Sequence, residues 1–381
     1  MNIDGLSYDL RSLTDPAQLE GAWSDLEQRA DCPYFLSWNW IGTWLRVTPG
    51  LIPLIFSVRD GAKIVGLAVF HPAQQRRRMA SSHALFLHQT GNEYTDIITI
   101  EYNNILCDRA YAAPILEGFI PFLKQVKLPR APFDSWDEIH TAVVTDEFLP
   151  IAVRANLMVL KLTHKPSWYV DLDSVRRTGR PFLESLSSNT RYQIRRALKL
   201  YAKSGPVSAV PAKTLDEALR YFEEMKSLHQ KYWNDRGKPG GFSNAYFEAF
   251  HLALIRDGFP RGTIEVVRVS AGPKIIGVVY NFLYRGRVYS YQTGFSYEND
   301  PKIKPGLVSH SLCIEQHLAA GASMYDFMGG DSQYKASLGR RGPDMMHFAF
   351  QRRTLARTTE AFMRRINDLQ RYLRTRLRPA R

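Results

Sequence analysis

The residues best placed to do chemistry sit in one turn. The stretch SYENDPKIKPG (296–306) brings Lys302 and Lys304 close before Gly306, where a strand gives way to a helix. A cationic turn feeding a helix N-terminus offers free N–H groups and two ammonium charges to an anion, so it reads as a phosphate site. It is not a P-loop, because GxxxxGK[ST] is absent, nor a dinucleotide fingerprint, because GxGxxG is absent. Other chemistries fall away on similar grounds. No HExxH occurs and the ten histidines are dispersed, which argues against a metal. No GxSxG occurs, and Cys313 has apolar helix neighbours, a poor setting for a nucleophilic thiol. His310 and His317, seven apart on that helix, read as packing or surface residues rather than ligands.

The elements that must hold this turn are legible on either side of it. RVYSYQTGF (287–295) alternates like a strand. LVSHSLCIEQHLAAG (307–321) sets Leu307, Ser311, Ile314 and Leu318 at helical spacing and stops at Gly321. SMYDFMGG (323–330) is a second strand, leading into DSQYKASLG (331–339), so the whole is a βαβ unit.

Upstream, WYVDL from Trp168 reads as an edge strand. SSNTRYQIRRALKLYAKSG (187–205) reads as a helix capped by Ser188 or Asn189. Arg191, Arg195, Lys199 and Lys203 share one face of it, either a solvated face or a cationic wall for phosphate or carboxylate. TLDEALRYFEEMKSLHQKYW (214–233) opens with a capping box, Thr214 to Glu217. NDRGKPGGFS (234–243), which holds Arg236, is a plain surface turn or a mobile lid over an acceptor site. The strands 263–269, 274–284 and 287–295 form an antiparallel meander.

The first half shows the same order without a counterpart of the cationic turn. DPAQLEGAWSDLEQRA (15–30) is a helix with Asp15 as cap and Pro16 at its first position. PYFLSWNWIGTWLRV (33–47) is helical in its second part, its three tryptophans read as core. LIPLIFSVRDGAKIVGLAVFHP (51–72) is a hairpin turning at Asp60-Gly61, and QRRRM (75–79) a basic loop. HALFLHQTG (83–91) and DIITI (96–100) read as strands, 109–127 as a helix and 135–144 as a strand.

Taken together, these residues resemble the core of a GNAT N-acyltransferase domain. The closer likeness is to the CelD/BcsL-type acetyltransferases associated with polysaccharide biosynthesis, relatives of the FemAB aminoacyltransferases. The likeness is carried by Tyr291 and Gly294, by Pro305-Gly306, by Glu315, by Tyr325-Asp326-Phe327, and by Gly330, Tyr334 and Lys335. Arg191, Ile194, Arg195-Arg196 and Arg236-Gly237 before Phe242 fit it too. It is best over about 166–350.

The resemblance implies an α/β (α+β) fold of two tandem GNAT-like domains, with mixed, mostly antiparallel sheets flanked by helices. The first (1–165) lacks a cofactor site, the second (166–350) carries it, and 351–381 adds a basic amphipathic helix. It also implies direct acyl transfer from acetyl-CoA or another acyl-CoA to a small amine or amino sugar, without a metal. The donor would be bound by Tyr291, Thr293, Gly294, Lys302, Lys304, Gly306, Leu307 and Val308. Asp326 is then the candidate base, Tyr334 the candidate acid for the leaving thiolate, and Lys335 a stabiliser of the oxyanion or of an anionic acceptor. Arg191, Arg195, Arg236 and Tyr325 would meet the acceptor. Two alternatives stand beside this: a FemAB-like transferase using aminoacyl-tRNA, and a non-catalytic scaffold for envelope assembly.

Composition is consistent with two globular domains. The chain has 381 residues, 45% of them hydrophobic, a net charge of +13 and three scattered cysteines. No signal peptide or membrane span is legible, so the expected location is cytoplasmic, with the inner membrane surface as a peripheral site. From Gln351 onward ten arginines face only Glu360 and Asp368. There Phe362, Ile366, Leu369, Leu373 and Leu377 form an apolar stripe that could pack on the protein, lie on an anionic membrane or accompany nucleic acid.

Overall fold

The computed structural model describes residues 1–76, 81–129, 131–354 and 358–359. Of the basic loop read at 75–79, Gln75 and Arg76 instead end the strand Lys63–Arg76, while 77–79 and the apolar stripe of 362–377 lie outside the described residues. The strands of the first half are β1 (Asn2–Ile3), β2 (Leu6–Ser12), β3 (Leu54–Asp60), β4 (Lys63–Arg76), β5 (Ser81–Leu87), β6 (Leu106–Cys107) and β7 (Glu138–Val144). Those of the second are β8 (Met158–Asp171), β9 (Val207–Pro211), β10 (Ile264–Ala271), β11 (Lys274–Tyr284), β12 (Arg287–Phe295), β13 (Met324–Gly329) and β14 (Arg340–Gln351). Among the described residues they make one sheet in the order β1-β2-β3-β4-β5-β7-β14-β8-β13-β12-β11-β10-β9, with β6 on β4.

Each half repeats one plan. An antiparallel meander (β2–β5, or β9–β12) ends in a parallel partner, β7 on β5 and β13 on β12. The halves are then joined by an exchange at their seam. β8 lies against β13, and β14 reaches back to pair with both β8 and β7. This corrects the reading of WYVDL as an edge strand: its would-be free edge is covered by β14. That strand begins RRGPD, a glycine- and proline-containing run without strand alternation.

Two local readings also change. DIITI is not a strand. Asp96 closes the short helix Glu93–Asp96 and turns its carboxylate onto the N–H groups of Thr90 and Gly91, both at 2.8 Å. The helix Ser188–Tyr201 is capped by Ser187, whose hydroxyl accepts from the Thr190 N–H at 3.2 Å, and not by Ser188 or Asn189.

Helices cover both faces of the sheet. Val288, Tyr325 and Phe327 point to one face, under the helices Ser188–Tyr201 and Pro305–Ala319. Tyr289, Tyr291 and Met328 point to the other, into a core shared by both halves. There Trp40 packs edge-on against Phe250 at 5.0 Å, and Tyr34 stacks on Phe282 at 4.2 Å. Trp38, Trp40 and Trp44 are all buried, as core tryptophans should be. Their burial fixes the first half against β11 and β12, which is what lets its loops reach the second half's site.

Candidate functional site

The site begins where β12 and β13 part. Only Arg287–Met324, Val288–Tyr325 and Tyr289–Asp326 are paired. Beyond them β12 stays with β11 as far as Phe295, while β13 follows β8 to Gly329, so a gap opens between the two strands. Both strands are irregular at the point of parting. β12 bulges at Tyr291, and β13 shifts register at Phe327, with Met328 at a φ of +59°.

At the far end of β12 the chain crosses SYENDPKIK and enters the helix Pro305–Ala319. Lys304 precedes its first turn and caps nothing with its side chain. The N–H groups of Gly306 and Leu307 belong to that turn, where no intrahelical acceptor exists. The side chains of Leu307 and Val308 are buried in the core, and the Val308 N–H is spent on the Lys304 carbonyl at 3.1 Å, so of the two only the Leu307 N–H is left for a ligand and Val308 is a packing residue. A Cβ on Gly306 would sit 3.3 Å from the Phe295 ring, so the turn is tight against the end of β12. In the first half, the loop leaving β5 carries an acid that bonds its own backbone: the Asp96 carboxylate holds the Thr90 and Gly91 N–H groups.

On the other side of the gap lies a buried group of charges. Asp326 is 3% exposed. Its Oδ2 accepts from the Tyr102 hydroxyl at 2.7 Å and its Oδ1 from the Met328 N–H at 2.7 Å. Tyr102, like Met328, holds a left-handed backbone, at φ +52°. Both donors to this carboxylate therefore come from residues in a conformation uncommon for side chains of their size. Burial pushes the Asp326 carboxyl up to about 6, against the pull of Tyr102, Met328, Arg287 and Lys335.

Glu101, the neighbour of Tyr102, accepts from the Gly329 N–H at 2.9 Å and is also raised by burial. Lys335 donates to the carbonyls of Phe327 at 2.7 Å and Gly329 at 2.8 Å; burial lowers it, while Glu101 and Asp326 oppose the fall. The Tyr291 hydroxyl donates to the Ile98 carbonyl. One loop of the first half, 97–105, thus grips both β12 and β13 where they separate.

The sequence-predicted residues divide accordingly. Asp326 and Lys335 stand close together at the parting of the strands, while Tyr291, at the bulge of β12, packs against Trp40, His251 and Phe282. Tyr334, on the short helix Gln333–Leu338, stacks on the His310 ring at 5.0 Å. His310 is buried and pushed down to about 3, hence neutral, and His317 is bonded to Glu265 at 2.9 Å. Thr293 gives its carbonyl to His229 at 3.2 Å. Gly294 lets the helix Leu215–Asn234 approach, since a Cβ there would lie 2.3 Å from the Met225 carbonyl oxygen. Tyr325 is buried on the opposite face, its hydroxyl 3.1 Å from His310.

Arg191 bonds the carbonyls of Glu184 and Leu186, Arg195 is exposed, and the Arg236 guanidinium lies 3.6 Å above the Tyr232 ring. None of the three is bonded to the Asp326 group among the described residues. Sequence reasoning missed Glu101, Tyr102 and Arg287. The available signal was an acidic–aromatic pair directly after an apolar run. No group of metal-ligating side chains occurs among the described residues, and no helix there is long and apolar enough to cross a membrane.

Comparison with known proteins agrees with this geometry. Residues 188–336 match the family described as acetyltransferase (GNAT) domain, which spans the meander, the parted strands and the cationic turn. No curated protein matches the sequence. Among solved structures the fold is similar to that of FemX, at 11% identity and a TM-score of 0.56, covering 90% of this chain and 97% of that one. It is also similar to L-PGS from Bacillus licheniformis, at 12% identity and a TM-score of 0.52, covering 92% and 96%. A conserved protein of unknown function from Bacteroides thetaiotaomicron gives 10% identity and a TM-score of 0.53, covering 90% and 100%.

Proposed function

We propose that this chain transfers an acyl group from an acyl-CoA to an amine, with the donor held entirely by the second half. The observation that carries the reading is the pair of parted parallel strands running into a cationic turn and an uncapped helix N-terminus. The pyrophosphate of the donor would lie on the N–H groups of Gly306 and Leu307, with Lys302 and Lys304 beside it. The gap between β12 and β13 would admit the pantetheine arm and bring the thioester to the bulge at Tyr291.

At the parting, Asp326 is the acceptor of the amine's proton. A carboxyl raised to about 6 is still ionised at neutral pH and is a stronger base than an ordinary aspartate. Tyr102 and the Met328 N–H hold its two oxygens in place. Tyr334 follows β13 on a short helix beside Tyr297 of the cationic turn, a position from which it could give a proton to the departing sulfur. Lys335 spends two of its protons on β13 carbonyls, so its first task is to hold the strand end and the two nearby acids. An amino sugar or similar amine of polysaccharide or envelope metabolism is the acceptor class that the CelD/BcsL likeness favours.

A second reading, an aminoacyl-tRNA-dependent transferase, keeps its place because FemX shares the fold. A thermal-shift panel separates the two. The first reading expects stabilisation by acetyl-CoA and longer acyl-CoAs that weakens when the 3′,5′-ADP part is omitted. The second expects no acyl-CoA response and tight binding of charged tRNA that falls steeply with salt.

A further inference from the structure

The Asp326 group borders a second feature, a cleft of about 600 Å³ between the halves, ample for a small ligand. Tyr102 and Tyr289 form its inner wall, and Arg287, Arg285, Arg109, Asp31 and Glu147 are its charged side chains. Four of those five are already satisfied. Arg109 faces Asp31 at 3.3 Å. Arg285 donates to the carbonyls of Ala30 and Glu27. Glu147 accepts from the Asn104 amide at 2.6 Å. Arg287 has neither a carboxylate nor a backbone carbonyl partner among the described residues; its guanidinium lies beside the Tyr289 phenol, and its charge reaches Asp326.

The register says where that charge stands. Tyr289 pairs with Asp326, and Arg287 lies two positions earlier on the same face of β12. Two strand residues span roughly 7 Å. A guanidinium without a carboxylate partner, lining a cleft whose wall includes Tyr102, the hydrogen-bond donor to the proposed base Asp326, is a fork for an anion.

We propose that this cleft receives the acceptor, and that the acceptor is an amine whose phosphate or carboxylate, on the order of 7 Å from its nitrogen, is held by Arg287. The proposal rests on the acyl-transfer reading for the chemistry, but the binding is independent of it. The acceptor enters as an ammonium and gives one proton to Asp326. Its nitrogen then forms the C–N bond as the donor's C–S bond breaks; a second N–H proton ends on the departing sulfur and the third stays on the amide nitrogen. Donor and acceptor arrive from different sides, the donor along the cationic turn and the acceptor between the halves.

The test compares paired probes on the full chain by calorimetry: glucosamine 6-phosphate against glucosamine, and Nα-acetyl-lysine against its carboxamide. The proposal expects the anionic member of at least one pair to bind ten-fold or more tightly, and Arg287→Ala to abolish that preference. Arg109→Ala, at the other side of the cleft, should preserve it. A preference in the first pair identifies a phosphate, in the second a carboxylate. No preference in either pair, or one that survives Arg287→Ala, overturns the proposal. Titration with acetyl-CoA keeps the two readings apart. A variant-sensitive preference without acetyl-CoA binding would defeat the donor assignment and leave the cleft standing. Acetyl-CoA binding without the preference would do the reverse.

Discussion

The Tyr102 hydroxyl donates to the Asp326 carboxylate at 2.7 Å across 224 positions of sequence, so the two halves share one hydrogen bond at the proposed reaction centre. A bond to an ionised partner favours the ionised form. Tyr102→Phe should therefore raise the Asp326 pKa further above about 6. The acid limb of the kcat/KM profile would move to higher pH, with acetyl-CoA affinity unchanged. An unmoved limb would show that Tyr102 does not govern the base.

Asp326→Asn should leave donor binding intact and lower turnover by about 10²–10⁴-fold, the usual worth of a general base. The same residue has a stability signature. Burial raises its carboxyl from the ordinary aspartate value of 3.8 to about 6 in the folded chain. Between those values the folded state holds a proton that the unfolded state has lost, so stability falls as pH rises through the window, by roughly 3 kcal/mol in all. Melting curves from pH 4 to pH 7 should show this fall in the wild type and a flatter profile in the variant. Equal slopes would mean that the carboxyl is not buried as described.

Lys335 anchors the end of β13 through the Phe327 and Gly329 carbonyls and stands close to Glu101 and Asp326. Lys335→Ala should cost about 1–3 kcal/mol, since two buried carbonyls lose their donor. It should also shift the acid limb upward, because both acids lose a nearby cation. Loss of turnover with neither effect would point instead to direct contact with the reacting groups.

Gly294 stands where the helix Leu215–Asn234 crosses β12, and an added Cβ would approach the Met225 carbonyl oxygen to 2.3 Å. Backbone cannot yield there cheaply, so Gly294→Ala should lower stability by about 1–3 kcal/mol. Gly241→Ala, where the nearest atom would be 3.6 Å away, should be nearly neutral. Similar melting temperatures for the two would refute the packing role.

How far the sequence revealed this site follows from how local each signal is. The turn at Lys302–Gly306 was legible because strand, turn and helix are contiguous and each carries its own periodicity. The same holds for the capping box at Thr214, where the Glu217 N–H does bond the Thr214 hydroxyl at 3.2 Å. Glu101 and Tyr102 were not legible, since their partners Gly329 and Asp326 lie in the other half and only tertiary packing around Trp40 and Phe282 brings them together. The β14 exchange was hidden for a related reason. Its pairing with β7 and β8 is long-range, and Gly342 and Pro343 break the alternation by which a strand is recognised.

The central claim is that the N-terminus of the helix Pro305–Ala319 holds the donor's pyrophosphate, and calorimetry with acetyl-CoA tests it most directly. The wild type should bind. Gly306→Glu, which puts a carboxylate into the anion's place, should abolish binding. Because the Phe295 ring is only 3.3 Å from the new Cβ, Lys302→Glu/Lys304→Glu serves as a second variant that removes the charge without crowding the turn. The account predicts loss of acetyl-CoA binding in both variants, with the melting temperature of the lysine variant unchanged. Wild-type affinity in either folded variant would contradict it.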